Sequence, residues 1–270
     1  MQMKKCFIDG DSIIYRLALK DITLEQAQKY YGNIIKQIGR DCSTSVALKG
    51  GGNFRYEIDA DYKGKRKGAK DPIFKERRQA LTEYAYSLGH FKSDNCEADD
   101  VVSIWAQEAI DAKEDYVIAH IDKDIDMVEG WHYNYNKKTL YHVSELQGYY
   151  NMCIQMLTGD STDNIKGIVG IGPKKAEKLL EDKDQMLDKV QEAWQTAHPE
   201  DWEKRLETCW NLLYMRRTWD GFKRLNLEDT IREKLESSEK SNGLDTLPES
   251  CYNAPELNES PTDYEKDELL

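Results

Sequence analysis

The chain has 270 residues, with 38 Lys+Arg against 50 Asp+Glu and a formal net charge of −12. That length allows one or two domains with a real core, and 6 Trp, 16 Tyr and several apolar runs exclude a wholly disordered chain. No stretch approaches the roughly 20 apolar residues of a membrane span; the N-terminal MQMKKCFIDGDSIIYRL lacks a signal-peptide core, and Cys6, Cys42, Cys96, Cys153, Cys209 and Cys251 show neither CxxC nor zinc spacing, so they read as reduced thiols of a cytoplasmic protein.

Lys5 to Asp9 reads as a short strand that stops at an Asp-Gly-Asp turn, with Asp11 or Ser12 capping a helix through Ile13, Ile14 and Leu17. Thr23 and Gln26 form a capping box for a helix to about Gly39. Ser45 to Leu48 is a second strand, ended by Gly50-Gly51-Gly52. Asp71-Pro72 opens a helix to about Gly89, with Asp as cap and Pro at the first helical position. A helix from Glu97 to Ala112 would bury Val101, Ile104, Trp105 and Ile110. Tyr116 to Ile121 is the third buried strand, and Tyr133 to Val143 a hairpin or two short strands. Strands alternating with helices predict a mainly parallel sheet covered on both faces. From Ser144 onward the pattern is nearly all helical. The expected organisation is an α/β body over 1–143, a helical lobe over 144–227 and an acidic tail over 228–270.

The negative charge is uneven. Residues 228–270 hold 13 acids, 4 bases and three prolines with little apolar periodicity, which predicts a disordered tail and leaves residues 1–227 at −3. The KDEL string at 266–269 is followed by Leu270, so it is not a retention signal at the final four positions.

The acids in the body fall where chemistry would need them. Asp9 ends the first strand, and Asp122, Asp124 and Asp126 follow the third at alternate positions. Glu97, Asp99 and Asp100 open a helix, with Glu97 and Asp100 one turn apart, and Asp160 and Asp163 lie in the loop GDSTDN. Sites in parallel α/β sheets form outside the carboxyl ends of the strands, which would bring Asp9 and the Asp122 group to one edge. Capping accounts for any one of these acids. As a set they would repel unless protonated or bound to cations. Oxygen ligands without His or Cys select Mg²⁺ or Mn²⁺, and a pair of such ions is a common device for phosphodiester hydrolysis.

The basic residues are clustered as well. Lys63, Lys65, Arg66, Lys67, Lys70, Lys75, Arg77 and Arg78 are opposed over that span by Asp71 and Glu76. The run suits a polyanion backbone, although a solvated loop has the same composition. In GIVGIGPKKA, Gly167, Gly170 and Gly172 precede a Pro-started helix with Lys174 and Lys175 beside it. Such an element offers backbone N–H groups to phosphate and can hold duplex backbone without reading bases. Setting aside the eight acids assigned to metals, the −3 body becomes +5, compatible with a basic face. The five histidines show no paired spacing and are assigned no catalytic role. Trp202, Leu206, Trp210 and Leu213 recur at helical spacing, which reads as a packing stripe rather than a base-stacking platform. No P-loop or GxGxxG is present.

Taken together, IDGDSIIYR at 8–16, YKGKR at 62–66, EADD at 97–100, IDKDID at 121–126 and GDSTDNIKGIVGIGPKKA at 159–176 resemble the 5′→3′ exonuclease and flap endonuclease family, in particular its small phage members. The likeness covers about residues 3–185. It implies a PIN-like parallel sheet with a helical arch at about 62–90 and a helix–three-turn–helix. It further implies two-metal hydrolysis of DNA from or near a 5′ end or flap, often of RNA too, in phage replication within the host cytoplasm. By motif, Asp9, Glu97, Asp99, Asp100, Asp122, Asp124, Asp160 and Asp163 become metal ligands, direct or through water. Lys63 and Arg66 become arch-base cations on the scissile phosphate. Lys65 and Lys67 with Gly167, Gly170, Gly172, Lys174 and Lys175 become DNA contacts, the glycine turn often holding a monovalent cation such as K⁺.

One departure stands out. The family's usual Asp after the second strand falls near Leu48-Lys49, where this chain has no acid. Asp11 is the preferred replacement, with helix capping as its competing role; Asp59 is another candidate, and the remaining alternative is that one metal is held more weakly. Two further readings follow: a catalytically weak or silent DNA-binding relative, and a PIN-like ribonuclease.

Overall fold

The computed structural model describes residues 5–65 and 71–219. Arg66, Lys67 and the acidic tail lie outside the described residues.

β1 (Lys5–Asp9) sends Cys6 and Ile8 to one face of a sheet and Phe7 to the other, all buried. α1 (Gly10–Ala18) starts at once, because Asp9 is itself the N-cap and accepts the Asp11 amide. The cap therefore lies at Asp9, before the expected Asp11 or Ser12. Gly10 permits the tight start: a Cβ there would lie 2.7 Å from the side chains of Leu48 and Val46. α2 (Leu24–Ile38) carries the expected Thr23/Gln26 capping box. β2 (Ser43–Gly51) again divides its residues, Val46 and Leu48 to one face and Ala47 to the other. A single helical turn, α3 (Arg55–Ile58), leads to the 59–65 loop, and α4 (Pro72–Ser87) follows, capped by Asp71. The described part of the expected arch thus returns to the body, with Phe74, Leu81 and Ala85 of α4 packed among the residues of α1 and α2.

β3 (Phe91–Asp94) was not anticipated from the sequence. It is an edge strand in which only Ser93 is buried, so no apolar run marks it. α5 (Ala98–Asp111), β4 (Tyr116–His120), a 3-10 turn (Lys123–Met127), β5 (Gly130–Asn134) and β6 (Thr139–Val143) complete the α/β part. The sheet order is β3-β2-β1-β4-β5-β6, parallel throughout except for the β5–β6 hairpin. The chain runs outward from β1 on one side to β2 and β3, and on the other to β4 and β5. The carboxyl ends of β1 and β4 therefore flank the point where the winding reverses, which is where open α/β sheets form sites.

The remainder is helical, apart from the two-residue ladder of β7 (Gly159–Asp160) and β8 (Ile165–Lys166). α6 (Glu145–Thr158), α7 (Pro173–Leu179), α8 (Met186–Ala197) and α9 (Trp202–Leu213) pack on the α5 side of the sheet. Met152, Met156, Trp194 and Trp210 share one buried cluster with Val101, Val102 and Ile118. Leu206, Trp210 and Leu213 are core residues, as the helical spacing predicted. Among the described residues no helix is long and apolar enough to cross a membrane, and the five described cysteines are free thiols.

A buried ion pair joins these parts. Arg55 donates from both terminal nitrogens to Asp100, at 2.7 and 2.9 Å, and from Nε to the Leu212 carbonyl at 2.8 Å. It also donates to the Tyr214 carbonyl, while Asp100 accepts the Arg216 amide. Arg55→Met should therefore destabilise the protein by about 3–5 kcal/mol, because Asp100 would be left buried and unpaired. Adding Asp100→Leu should recover part of that loss, since the uncompensated charge goes with it. Denaturant unfolding followed by circular dichroism decides, and a double variant no more stable than the single one would contradict the account.

Candidate active site

Five chain segments bring carboxylates to the edge formed by the carboxyl ends of β1 and β4. Asp9 comes from the last position of β1, and Asp11 from the first turn of α1. Glu97 caps α5 and Asp99 lies in its first turn. Asp122 caps the 3-10 turn that contains Asp124. Asp160 ends β7, and Asp163 lies in the loop to β8.

Their electrostatics show which acids are neighbours. Burial pushes the Asp9 carboxyl up to about 7, helped by the charges of Asp11 and Asp122. Asp99 is raised well above the usual range by burial and then by Asp9, Asp122 and Glu97. Asp124 is pushed to about 7 by burial, with Asp122, Asp160 and Asp163 adding to it. Asp122 thus belongs to two overlapping groups: Asp9, Asp11, Glu97 and Asp99 on one side, Asp124, Asp160 and Asp163 on the other. Like charges so arranged stay ionised together only when cations or protons are supplied. The donors are all hard oxygens, a set that fits Mg²⁺ or Mn²⁺.

Local hydrogen bonds aim these side chains. Asp9 accepts from Asp11 N at 3.1 Å and from the Ser12 hydroxyl at 2.6 Å, and that hydroxyl meets Tyr135 Oη at 2.5 Å. Asp124 Oδ1 accepts from Gln155 at 2.7 Å. Asp160 Oδ1 accepts from the amides of Thr162 and Asp163, and Lys123 lies 3.5 Å from Asp160 Oδ2. These partners hold Asp160 below the usual range despite its burial.

Two expected ligands need comment. Asp100 does not join the others: it is fully buried and both its oxygens are engaged by Arg55, with Glu97 N donating to Oδ2 at 3.0 Å. Burial alone would raise its pKa, but the Arg55 guanidinium holds it below the usual range. Asp11 reaches across to the end of β2, where its Oδ1 accepts the Lys49 amide at 3.1 Å. That brings a carboxylate to the level of the missing second-strand acid, and with Asp9 serving as the cap, capping no longer competes for Asp11. Asp59 accepts the Asp61 amide within its own turn.

Lys63 lies inside the acidic group. Its Nζ pairs with Glu97 and lies 3.5 Å from Asp163 Oδ2, and its backbone N donates to the Asp163 carbonyl at 2.7 Å. Tyr62 donates to Glu97 at 2.9 Å and to Asp163 at 3.1 Å. Burial would raise the Glu97 pKa, but Lys63 and then Arg55 bring it below the usual range. Lys65 is exposed, away from these contacts. Some distance along, the 167–172 loop leaves β8 and enters α7 with Gly172 as N-cap and Pro173 at the first position. Gly170 has φ +84°, and the intervening Val169 is 94 % exposed. Lys174 and Lys175 are exposed on the first turn of α7. The residues sequence reasoning missed are Arg55, Tyr62, Gln155 and Tyr135, which support the acids from elsewhere in the fold.

No family model matches the chain. By sequence it is 26 % identical over 198 residues to a 5′-3′ exonuclease of Mycoplasmopsis pulmonis, covering 66 % of each chain. It is 28 % identical over 209 residues to a DNA polymerase I of Caldicellulosiruptor bescii, covering 67 % of this chain and 24 % of the polymerase. The chain thus spans just under two thirds of the first relative and about a quarter of the second. Its fold matches a crystal structure of bacteriophage T5 flap endonuclease in complex with DNA and metal ions, at a TM-score of 0.56 and 16 % identity over 78 % of this chain and 99 % of the other. A zinc-bound T5 5′-exonuclease matches at a TM-score of 0.54, with 16 % identity over 78 % of this chain and 100 % of that one. Sequence and fold therefore liken the chain to 5′-3′ exonucleases and flap endonucleases.

The raised carboxyls have a thermodynamic consequence. Well below about pH 4, the ordinary Asp value, they are neutral both folded and unfolded, and the cluster carries no penalty. As pH climbs toward 7 the unfolded chain gives up these protons first, so stability is lost unless a metal takes the protons' place. The Mg²⁺-induced rise in Tm should accordingly be small near about pH 4.5 and grow through about pH 7. Melts at paired pH values with EDTA or Mg²⁺ test this, and a rise independent of pH would refute it. Asp11→Asn should raise the Mg²⁺ concentration giving half of that Tm shift several-fold. A titration matching the unaltered protein would remove Asp11 from the site.

Proposed function

We propose that this chain, a relative in sequence and fold of the 5′-3′ exonucleases and flap endonucleases, is a divalent-metal-dependent nuclease that hydrolyses DNA phosphodiester bonds at or near a 5′ end or flap. The observation that carries this reading is the convergence of eight carboxylates (Asp9, Asp11, Glu97, Asp99, Asp122, Asp124, Asp160, Asp163) from five segments at one sheet edge, in two groups that meet at Asp122. One group would hold one Mg²⁺ or Mn²⁺ ion and the second group another. Bound there, such ions supply an activated water and charge stabilisation at the leaving oxygen.

The chain's own residues do the rest. Lys63 now neutralises Glu97 and Asp163. Once metal charge takes over that task, its ammonium is free to meet the reacting phosphate, with Arg66 as its expected companion. Tyr62 keeps Glu97 and Asp163 oriented through hydrogen bonds that do not depend on the ammonium. Lys174 and Lys175, with the glycines of the 167–172 loop, suit contact with duplex backbone, as do Lys65 and Lys67. The reading of a silent DNA-binding relative rested on the missing second-strand acid, and the reach of Asp11 to Lys49 counts against it. Action on RNA–DNA hybrids and a place in phage replication, as in primer removal, belong to the same proposal.

A gel assay with 5′- and 3′-labelled duplex, flap and RNA–DNA hybrid substrates, in Mg²⁺, Mn²⁺ or EDTA, tests the proposal. Short 5′ products should appear with either metal and none with chelator. Asp122→Asn should lower cleavage on the order of 100-fold or more, while flap binding persists. Lys174→Ala with Lys175→Ala should weaken binding and flatten its log–log salt dependence by about one per lost phosphate contact. Full cleavage in EDTA would overturn the two-metal reading, and products released from the 3′ end would overturn the polarity.

A further inference from the structure

Behind the carboxylate edge, on the α5 and α6 side of the sheet, lie two buried histidines that the mechanism above does not use. His120 ends β4 and His132 lies in β5. The parallel register sets His120 beside Asn134, so the side chains of 120, 132 and 134 share one face of the sheet. The two rings are 1 % and 0 % exposed and meet edge to face, with centroids 4.9 Å apart.

Their protons can be assigned from their partners. His120 Nδ1 lies 2.7 Å from the Asp122 carbonyl oxygen, and His132 Nε2 lies 2.8 Å from the Val128 carbonyl oxygen. A carbonyl only accepts, so both of these nitrogens must donate. The other nitrogens, His120 Nε2 and His132 Nδ1, then face each other as bare lone pairs 2.7 Å apart. Two acceptors cannot rest so close without a cation between them. A carboxylate is already present: Asp126 Oδ1 is 3.7 Å from His120 Nε2 and 3.8 Å from His132 Nδ1. The Tyr141 hydroxyl adjoins the same point, 2.6 Å from Asp126 Oδ1 and 3.4 Å from His120 Nε2.

We propose that His120, His132 and Asp126 bind a divalent transition-metal ion of the zinc type, at a site separate from the carboxylate edge. The three ligand atoms lie within 4.8 Å of one another. Each ring donates its second N–H to a backbone carbonyl, the arrangement that fixes the tautomer and orientation of a metal-binding histidine. Imidazole nitrogen selects zinc-like ions over magnesium, so the two kinds of site discriminate by ligand chemistry. Zinc–nitrogen bonds of about 2.0–2.1 Å set the nitrogens of a tetrahedral site about 3.3 Å apart. The rings therefore open slightly from 2.7 Å while Asp126 closes in, and Tyr141 or water takes the fourth position. Asp126 is partly exposed and provides the way in. The ion would pin β4, β5 and the 3-10 turn to one another, fixing the backbone that carries Asp122 and Asp124.

The test uses the full chain, stripped with chelator and returned to excess Mg²⁺ so that the carboxylate edge is filled. One equivalent of Co²⁺ should then give the intense visible bands of a four-coordinate, nitrogen-ligated ion. Zn²⁺ should bleach those bands and raise the Tm. His132→Gln should abolish both signals, and Asp126→Asn should weaken cobalt binding about 10-fold or more; circular dichroism checks that each variant is folded. If His132→Gln does not fold, the Asp126→Asn titration decides. No bands from the unaltered chain, with an imidazole NMR signature of a single shared proton, would overturn the proposal. So would bands that persist in both variants, because the cobalt would then sit among the carboxylates.

Discussion

The Arg55–Asp100 ion pair is the contact on which the rest of the site's geometry depends. Asp100 lies in the first turn of α5, the helix whose cap is Glu97 and whose next residue but one is Asp99. By engaging both Asp100 oxygens, Arg55 fixes the rotation of that turn and so decides which acids face the sheet edge. The same guanidinium donates to the carbonyls of Leu212 and Tyr214 just beyond α9. One residue from α3 thereby holds the start of α5 and the end of the last described helix together. A buried pair of this kind adds little net stability over an apolar replacement, but losing one partner is expensive. Its contribution here is to orientation: EADD supplies three carboxylates, and the pair withdraws the last so that the first two are presented correctly.

Presenting acids creates the opposite problem of keeping them apart. In the absence of metal, part of the repulsion is offset by lysines, with Lys63 between Glu97 and Asp163 and Lys123 beside Asp160. Another part is relieved by backbone amides, as at Asp160 and Asp9. The remainder is left as strongly raised pKa values at Asp9, Asp99 and Asp124. The division has a logic. Glu97 and Asp160 are held low by lysines and backbone amides, whereas at Asp9, Asp99 and Asp124 burial and neighbouring carboxylates outweigh any basic neighbour, so that relief there needs a proton or a cation from outside. A folded scaffold that keeps such groups together is poised to bind metal, because binding removes a penalty the fold already carries.

How much of this was legible depends on whether the signal was local. The central strands were readable because each is buried on both faces and so forms a short apolar run. β3 was not, since an edge strand with a single buried residue has no such run. The clustered acids were legible because they sit at strand ends and helix starts, within a few residues of recognisable motifs. The role of Asp100 was misjudged because its partner lies 45 residues away and nothing in EADD announces Arg55. The helix cap was placed at Asp11 or Ser12 because sequence alone does not show that Gly10 lets the helix begin flush with the strand. Lys63 was recognised as important, yet its place among the acids follows from the turn that ties Lys63 N to the Asp163 carbonyl, a contact across 100 residues. The histidines failed the spacing test for a simple reason: on adjacent parallel strands, neighbours are separated by a crossover of whatever length the chain uses.

That same crossover links the two kinds of site. The segment from His120 to His132 contains Asp122 and Asp124 on one side of the 3-10 turn and Asp126 on the other. His120 holds the Asp122 carbonyl through Nδ1, and Asn151 of α6 holds the Asp126 carbonyl at 2.8 Å. Gln155, one turn further along α6, reaches Asp124 at 2.7 Å. The turn is thus gripped by imidazole on its sheet side and by amides on its helix side, while the Asp126 carboxylate turns inward to the histidines. Carboxylate oxygens gather at the mouth and imidazole nitrogens behind, so the two proposed sites would differ in the kind of ion they select. Through His120 Nδ1 the proposed rear cluster touches the backbone of Asp122, the acid common to both carboxylate groups.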